Sequence, residues 1–295
     1  MMPGVLKEKN YLHPLVLWLM FLLWYLIFAD NFFFAAQNKL EHLIAEQSFL
    51  LFNRMPEEAN EITIIAIDEA SRRRLNLKWP WRRSVTADLI RRIAAHSPKV
   101  IGLDIVFAGK SLPEEDRALT SALKSHPYVT LGYVLYKNSR EIPLKEFIDA
   151  AHSIGFVNKP LREGLVTKTR LFNVNAENEV AFSLETEILI SYLGLNRSDI
   201  RVNQSGISLK EGLFIPSPQG ITTLNYLAHP AGLRIIPASA VLENTINPLD
   251  LRNKIVLVGA TDPLIHDEYP TPLGVLPGVT IVANSLLTVM SQRFV

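Results

Sequence analysis

The chain has 295 residues, of which 48% are hydrophobic, with 30 basic and 29 acidic side chains and a formal net charge of +1. This length and the absence of solenoid-length repeats favour one principal domain, and the balanced charge argues against a nucleic-acid partner. The absence of cysteine excludes disulfides, thiolate catalysis and cysteine-ligated zinc.

The N-terminal region contains the longest apolar segment of the sequence. Residues 15–29 are apolar without a break, and residues 32–36 extend the segment. Such a segment can cross a bilayer with modest tilt, so we predict a transmembrane helix over residues 11–36, after a cytoplasmic tail of residues 1–10. A cleaved signal peptide is disfavoured because the apolar core is longer than is usual for such a peptide.

A second, juxtamembrane helix is predicted over residues 37–56. Its residues 39–53 carry a stripe of leucine and isoleucine at helical spacing, with glutamates largely off the stripe. The stripe needs a partner. It either packs on the following domain or pairs with its copy in a homodimer, and both interpretations remain open.

The next region has the pattern of a strand, a helix and a second strand. Residues 62–67 form a short apolar run that predicts a buried strand, and Ser84 is the predicted N-cap of an amphipathic helix. Residues 100–106 predict a second buried strand, which contains Asp104. Two such strands joined by a helix indicate a right-handed βαβ unit and a largely parallel sheet.

Further helices and strands are predicted along the remaining chain. Helices are expected over residues 113–124, 141–152, 182–193, 237–243 and 279–290, and strands over residues 128–135, 170–174, 207–209, 213–215, 222–226 and 254–258. Residues 261–277 predict a proline-rich loop, long enough to act as a lid or a partner surface. The predicted fold class is α/β, with a mixed, largely parallel sheet flanked by helices and an N-terminal transmembrane helix.

Several motifs of this sequence occur in the order typical of one family. They are DEAS, WPW, KVIGLDIVF, GFVN, LNY, IPASAVL, NKIVLVGAT, TPLG and LPGVTIVANSLL. With these motifs the chain resembles the CHASE sensory domain of the second type, found on bacterial cyclases and sensor kinases. The resemblance implies that residues 57–292 are an extracytoplasmic, periplasmic sensor domain attached to the inner membrane. It also implies a continuation through further membrane helices into a cytoplasmic cyclase, diguanylate cyclase or kinase.

Candidate ligand-binding residues follow from the predicted sheet. Ligands of open α/β sheets bind at the carboxyl ends of strands, which would bring Asp68, Asp104, Thr261 and Asp267 to one edge. Acidic groups there could hold a cation or the polar part of a small ligand. The preferred interpretation is structural: Asp68 caps the following turn, and Asp104 is a satisfied polar group in a strand.

An aromatic corner, Trp79-Pro80-Trp81, is followed by Arg82 in the main concentration of basic residues. We expect the two tryptophans to pin a helix against the sheet, with ligand stacking as the alternative. Arg82 is expected on a solvated face, with an anion site as the alternative. The family resemblance does not decide this, because no ligand is general to the family.

The sequence contains no nucleophile elbow, P-loop, HExxH zinc motif or dinucleotide fingerprint. We therefore predict a membrane-anchored, homodimeric sensor of a small-molecule or protein stimulus, with no catalysis, metal or cofactor of its own. One alternative is a metal-assisted hydrolase that uses Asp68, Asp104 and Asp267. Another is a structural or interaction module of the cell envelope.

Overall fold

The structure is a computed structural model. It describes residues 16–25, 55–136, 139–162 and 164–294, and the chain divides into two units, residues 1–51 and 52–295.

In the first unit, residues 16–25 form a helix, α1. Within the described parts of the chain, no helix combines the length and the apolar character needed to cross a membrane. The remainder of the predicted transmembrane segment, residues 11–36, lies outside the described residues. So does the predicted juxtamembrane helix over residues 37–56, apart from its last two residues.

The second unit is built on a seven-stranded sheet, in the spatial order β13, β1, β14, β2, β3 and β4, with β5 also paired to β3. These strands are β1 (Ile62–Ile67), β2 (Val100–Val106), β3 (Val129–Leu135), β4 (Arg140–Glu141), β5 (Ser153–Phe156), β13 (Arg234–Pro237) and β14 (Ile255–Ala260). Every pairing is parallel except that of β3 with β4. The prediction of a mixed, largely parallel sheet is confirmed.

Helices cover both faces of this sheet, and its central strands β1 and β14 are accordingly buried at every residue and almost wholly apolar. The helices are α2 (Glu69–Leu75), α3 (Arg83–Ala94), α4 (Pro113–Leu123), α5 (Lys145–Ile148), α6 (Leu184–Leu193), α7 (Ala238–Leu242) and α8 (Gly278–Met290). One core contains residues of α3, α4, α5 and α7, and the other contains residues of α6 and α8. Short 3-10 turns lie at Glu57–Glu61, Arg197–Asp199, Lys210–Gly212, Pro218–Gly220, Pro230–Gly232, Pro248–Asp250 and Pro263–Ile265.

Small antiparallel sheets form a second layer over α6. Their strands are β6 (Lys168–Arg170), β7 (Phe172–Val174), β8 (Val180–Phe182), β9 (Ile200–Asn203), β10 (Gly206–Leu209), β11 (Phe214–Pro216) and β12 (Ile221–Thr223). β6 pairs with β12, β7 with β8, and β10 with both β9 and β11. Ile207 and Ile215 from this layer join the same core as Ile188 of α6. Helix α6 is therefore buried on nearly all sides.

Helix α3 differs from the prediction at its start. It begins at Arg83, and Arg82 rather than Ser84 occupies the N-cap position. Ser84 instead donates from its backbone N to Glu115 at 2.6 Å and from Oγ at 3.0 Å, so a carboxylate of α4 satisfies this helix end. Beside it, the buried Arg83 forms an ion pair with the buried Asp116.

Two other predicted elements are also different. Of the helix expected over residues 141–152, only Lys145–Ile148 is helical, because Pro143 holds the preceding backbone extended and the backbone N of His152 already bonds to β3. The loop expected over residues 261–277 contains a hairpin of β15 (Glu268–Thr271) and β16 (Gly274–Pro277). Oγ1 of Thr271 donates to the carbonyl of Gly274 at 2.7 Å and closes its turn.

Candidate sensing site

Two of the predicted site residues at the carboxyl edge of the sheet have structural roles. The carboxylate of Asp68 accepts the backbone N–H of Ser71 at 2.7 Å and caps α2, as the preferred interpretation predicts. Thr261 follows β14, and its backbone N donates to the carbonyl of Ile67 at 3.0 Å. The end of β14 is thereby tied to the end of β1.

The aromatic corner lies under the first helices of the domain. Trp81 is 8% exposed and belongs to the core beneath α3, and Trp79 packs against the same core. The two ring centroids are 6.3 Å apart, and the Trp79-Pro80 peptide bond is cis. Arg82 is exposed. These contacts support the packing interpretation of the two tryptophans, and the proposed ligand-stacking role stays a prediction.

Asp104 lies at an irregularity of β2. The pairing of β2 with β3 runs from Leu103 opposite Leu131 to Val106 opposite Gly132, so Asp104 and its neighbour form a bulge. Bulges redirect side chains and are frequent beside functional sites. Within the described part of the chain, Oδ2 of Asp104 is buried and has no hydrogen-bond partner. The prediction that Asp104 is a satisfied polar group is wrong, because its buried Oδ2 accepts no hydrogen bond from the described residues.

Asp267 lies between the end of β14 and the start of α8. Its backbone carbonyl accepts the N–H of Gly278 at 2.9 Å. Its carboxylate covers the same glycine so closely that an added Cβ would lie 2.7 Å from Oδ2. The hydroxyl of Tyr269 of β15 favours the charged form of this carboxylate and so lowers its pKa. Asp267 therefore joins the β15–β16 hairpin to the first turn of α8, where partial positive charge favours an anion.

Close packing brings α8 to this edge of the sheet. Gly259 of β14 lies opposite Asp104 in the sheet register. A Cβ on Gly259 would lie 2.5 Å from Cβ of Val279, so only glycine permits the first turn of α8 to contact β14. The sequence motifs VGAT and LPGV thus supply the two glycines, Gly259 and Gly278, that allow this contact.

The carboxylates of Asp104 and Asp267 share one electrostatic environment. Burial raises the pKa of Asp104 to about 7, against the positive charge of Lys159, while the charges of Asp267 and Glu185 add to the increase. Burial also raises the pKa of Asp267, again opposed by Lys159. Desolvation disfavours the charged form of each acid, and two neighbouring negative charges disfavour it further. These residues, together with Tyr269, are called the carboxyl-edge cluster: Asp104, Lys159, Glu185, Asp267 and Tyr269.

Glu185 of α6 is a member that the sequence analysis did not find. It is 3% exposed and accepts hydrogen bonds from Thr169 at 2.6 Å and Ser285 at 3.2 Å. Its Oε2 is buried and has no partner among the described residues. The available signal was the apolar character of the whole FSLETEILISYL segment, since a helix that is hydrophobic on all sides is buried.

The segment after β12 forms a strap along α8, defined here as residues 224–228. Asn284 of α8 accepts the N–H of Ala228 at 2.9 Å and donates to its carbonyl at 3.0 Å. Oγ1 of Thr288 accepts the N–H of Asn225 at 3.2 Å and shares its hydrogen between the carbonyl of Asn225 at 2.9 Å and that of Asn284 in its own helix at 2.8 Å. Two side chains of α8 therefore hold the backbone of the strap over the length of the helix.

A cleft of about 670 Å³ opens beside the carboxyl ends of β3 and β5. Arg140, Asn158, Arg170 and Asn173 are among its lining residues. Asn158 accepts the N–H of Leu135 at 2.8 Å and donates to its carbonyl at 2.9 Å. The last residue of the GFVN motif therefore holds the end of β3 and also forms part of the cleft wall.

The structure brings together two of the predicted site residues, Asp104 and Asp267. Asp68 follows β1, which is separated from β2 by β14. Among the described residues, no group of three or more histidine, aspartate and glutamate side chains is placed to hold a metal ion. Chemically, the carboxylate of Asp104 can take up and release a proton near neutral pH, and both carboxylates can contact a cationic group.

The largely parallel sheet, with helices on both faces and small antiparallel sheets over α6, defines a mixed α/β domain. The sequence matches the CHASE2 domain family over residues 16–295, so the chain belongs to this family of extracellular sensory domains. No curated protein and no solved structure matches the chain.

Proposed function

We propose that this chain is the extracytoplasmic input domain of a bacterial signal-transduction protein and that it has no catalytic activity of its own. In this proposal it regulates a cytoplasmic output module, such as a cyclase, a diguanylate cyclase or a kinase. The observation that carries the proposal is the match to a sensory domain family over residues 16–295.

The proposal includes attachment to the cytoplasmic membrane. The apolar segment over residues 11–36 is the proposed anchor, with residues 1–10 in the cytoplasm and residues 57–292 on the outer side. The predicted helix over residues 37–56 is the proposed contact between two copies in a homodimer. The proposed stimulus is a small molecule or a protein.

Helix α8 is the proposed output element of the domain. It begins where Asp267 covers Gly278, and the strap is bonded to it at Asn284 and Thr288. A rearrangement at the carboxyl edge would therefore act on the same helix that leads to the C-terminal residues. Packed helices switch between discrete arrangements rather than deform continuously, so such a helix can transmit a binding event as a shift.

Topology reporters test the proposed location. Alkaline phosphatase, which is active outside the cytoplasm, is fused after Gln292, and a green fluorescent protein, which is fluorescent inside it, is fused at the same position. We expect phosphatase activity without fluorescence. A phosphatase fusion after Asn10, which precedes the apolar segment, is the matched control and is expected to be inactive. Fluorescence without phosphatase activity after Gln292 would contradict the proposal.

A further inference from the structure

The strongest unexplained feature of the domain is a pair of half-buried acids, Asp104 and Asp267, beside the start of α8. The β2 bulge carries Asp104, whose Oδ2 has no partner in the described part of the chain. Asp267 lies in the segment between β14 and β15, and its carboxylate covers Gly278 of α8. A buried carboxylate without a donor is unfavourable when charged, so the arrangement needs a reason beyond stability.

A lysine on a neighbouring segment supplies positive charge to the two aspartates. Lys159, after β5, is the cation that acts on both carboxylates, and Glu185 of α6 adds a further negative charge to Asp104. Tyr269 of β15 favours the charged form of Asp267, and the exposed His266 precedes Asp267 in sequence. Neither β14 nor α8 contains an ionisable side chain. The charge of Lys159 therefore acts on both aspartates, while Glu185 acts on Asp104.

Protonation changes the contacts that these acids can make. A carboxyl group with a proton is a hydrogen-bond donor as well as an acceptor, so Asp104 and Asp267 repel each other less when one is neutral. With both ionised, the two poorly solvated charges favour entry of water or separation of the acids. Asp267 belongs to the connection between β14 and the β15–β16 hairpin, so its separation would move that hairpin from the first turn of α8.

We propose that the Asp104 and Asp267 pair is a proton-operated switch, in which proton uptake holds the β15–β16 hairpin on the first turn of α8 and proton release loosens it. This inference deepens the proposed sensor function and rests on it, because α8 is the proposed output element. In this proposal, protons either stimulate the domain or modulate its response to another stimulus.

A single fluorescent label tests the switch directly. Because the full-length chain has no cysteine, Val275→Cys places one label on β16, where the side chain is 61% exposed. We expect its emission to show one transition between pH 5 and 9, with a midpoint near 7, the pKa of Asp104. Leu249→Cys, 66% exposed and remote in sequence from the cluster, is the control label and is expected to show no transition.

Three substitutions in the labelled protein identify the group that titrates. Asp104→Asn and Asp267→Asn should each abolish the transition or shift its midpoint by at least one pH unit, and circular dichroism at pH 6 checks that each variant is folded. If one variant does not fold, the other decides. His266→Gln should leave the transition unchanged, and its loss in that variant would assign the titration to the histidine and overturn the proposal.

Absence of any transition in the wild-type background would also overturn the switch, as would a transition that survives unchanged in every folded asparagine variant. The label reports on the domain without any output module. A negative result therefore rejects proton sensing and leaves the sensor function to be judged by the topology reporters, whose failure would be independent of this titration.

Discussion

The strap on α8 gives a sharp prediction for the substitution Asn284→Ala. The Asn284 side chain is fully buried and is bonded to both backbone polar groups of Ala228, which is itself 1% exposed. The alanine would leave a buried N–H and a buried carbonyl without partners, and each costs about 1–3 kcal/mol. Partial relaxation of the strap reduces the sum, so we expect a loss of about 3 kcal/mol in the free energy of unfolding.

For a domain of this size, such a loss corresponds to a decrease in melting temperature of roughly 6–12 °C. The assay is urea and thermal unfolding of the full-length protein, followed by circular dichroism. Asn247→Ala is the matched control, since this exposed asparagine bonds a single backbone N–H, of Leu249, at 3.0 Å and should cost about 1 kcal/mol. If Asn284→Ala is no more destabilising than this control, the strap does not hold α8 as described.

Three further predictions concern charge and packing elsewhere in the domain. Asp116→Ala leaves the buried Arg83 without its ion-pair partner, and we expect a loss of about 3–5 kcal/mol in urea unfolding; a loss below about 1 kcal/mol would contradict this reading of the pair. Burial raises the pKa of Asp104 to about 7 from 3.8, so the folded state retains a proton that the unfolded state has released. The free energy of unfolding should therefore fall by at most about 4 kcal/mol as pH rises from about 4 to 7, and then level off. An equal fall in the Asp104→Asn variant would refute the assignment to Asp104. Gly155→Ala places a Cβ 2.5 Å from the backbone of Leu184, so we expect a lower melting temperature. A melting temperature unchanged within about 2 °C would show that this contact can relax freely.

The central strands and several helix ends were predictable because their signals are local. β1, β2 and β14 are short β-branched runs buried by helices on both faces. Helix α6 ends at residue 193, as predicted, because Gly194 has the positive φ of a C-cap; its start is set by Ser183, which caps it.

Elements whose stability depends on distant partners were missed. β13 is an edge strand, and its exposed Arg234 and Ile235 give no buried pattern. The cap of α3 comes from Glu115, which is remote in sequence from Ser84. No spacing in the chain could have indicated that contact before the packing of α3 on α4 was known.

The candidate site was only partly predictable for the same reason. The rule that ligands bind at the carboxyl ends of strands predicted that Asp104 and Asp267 lie at one edge, and in the structure the charge of Asp267 acts on Asp104; their role in binding a ligand stays a prediction. It also selected Asp68, whose side chain is used by its own helix. Lys159 and Glu185 come from segments after β5 and in α6, and only the tertiary structure brings their charges to Asp104.

Sensing through α8 is tested most directly by the output of a chimeric cyclase, in which residues 1–294 replace the input domain of a membrane-bound cyclase. Thr288→Val removes the bonds of this helix to Asn225 and keeps the side-chain shape. Thr245→Val is the control, because exposed Thr245 also donates to a backbone carbonyl, that of Ala240. At equal amounts of folded protein, we predict that Thr288→Val changes basal product formation at least about 5-fold, within the usual range of allosteric coupling, and that the control does not. Equal output from the wild-type and Thr288→Val chimeras, with the melting temperature of the variant lowered, would contradict transmission through α8.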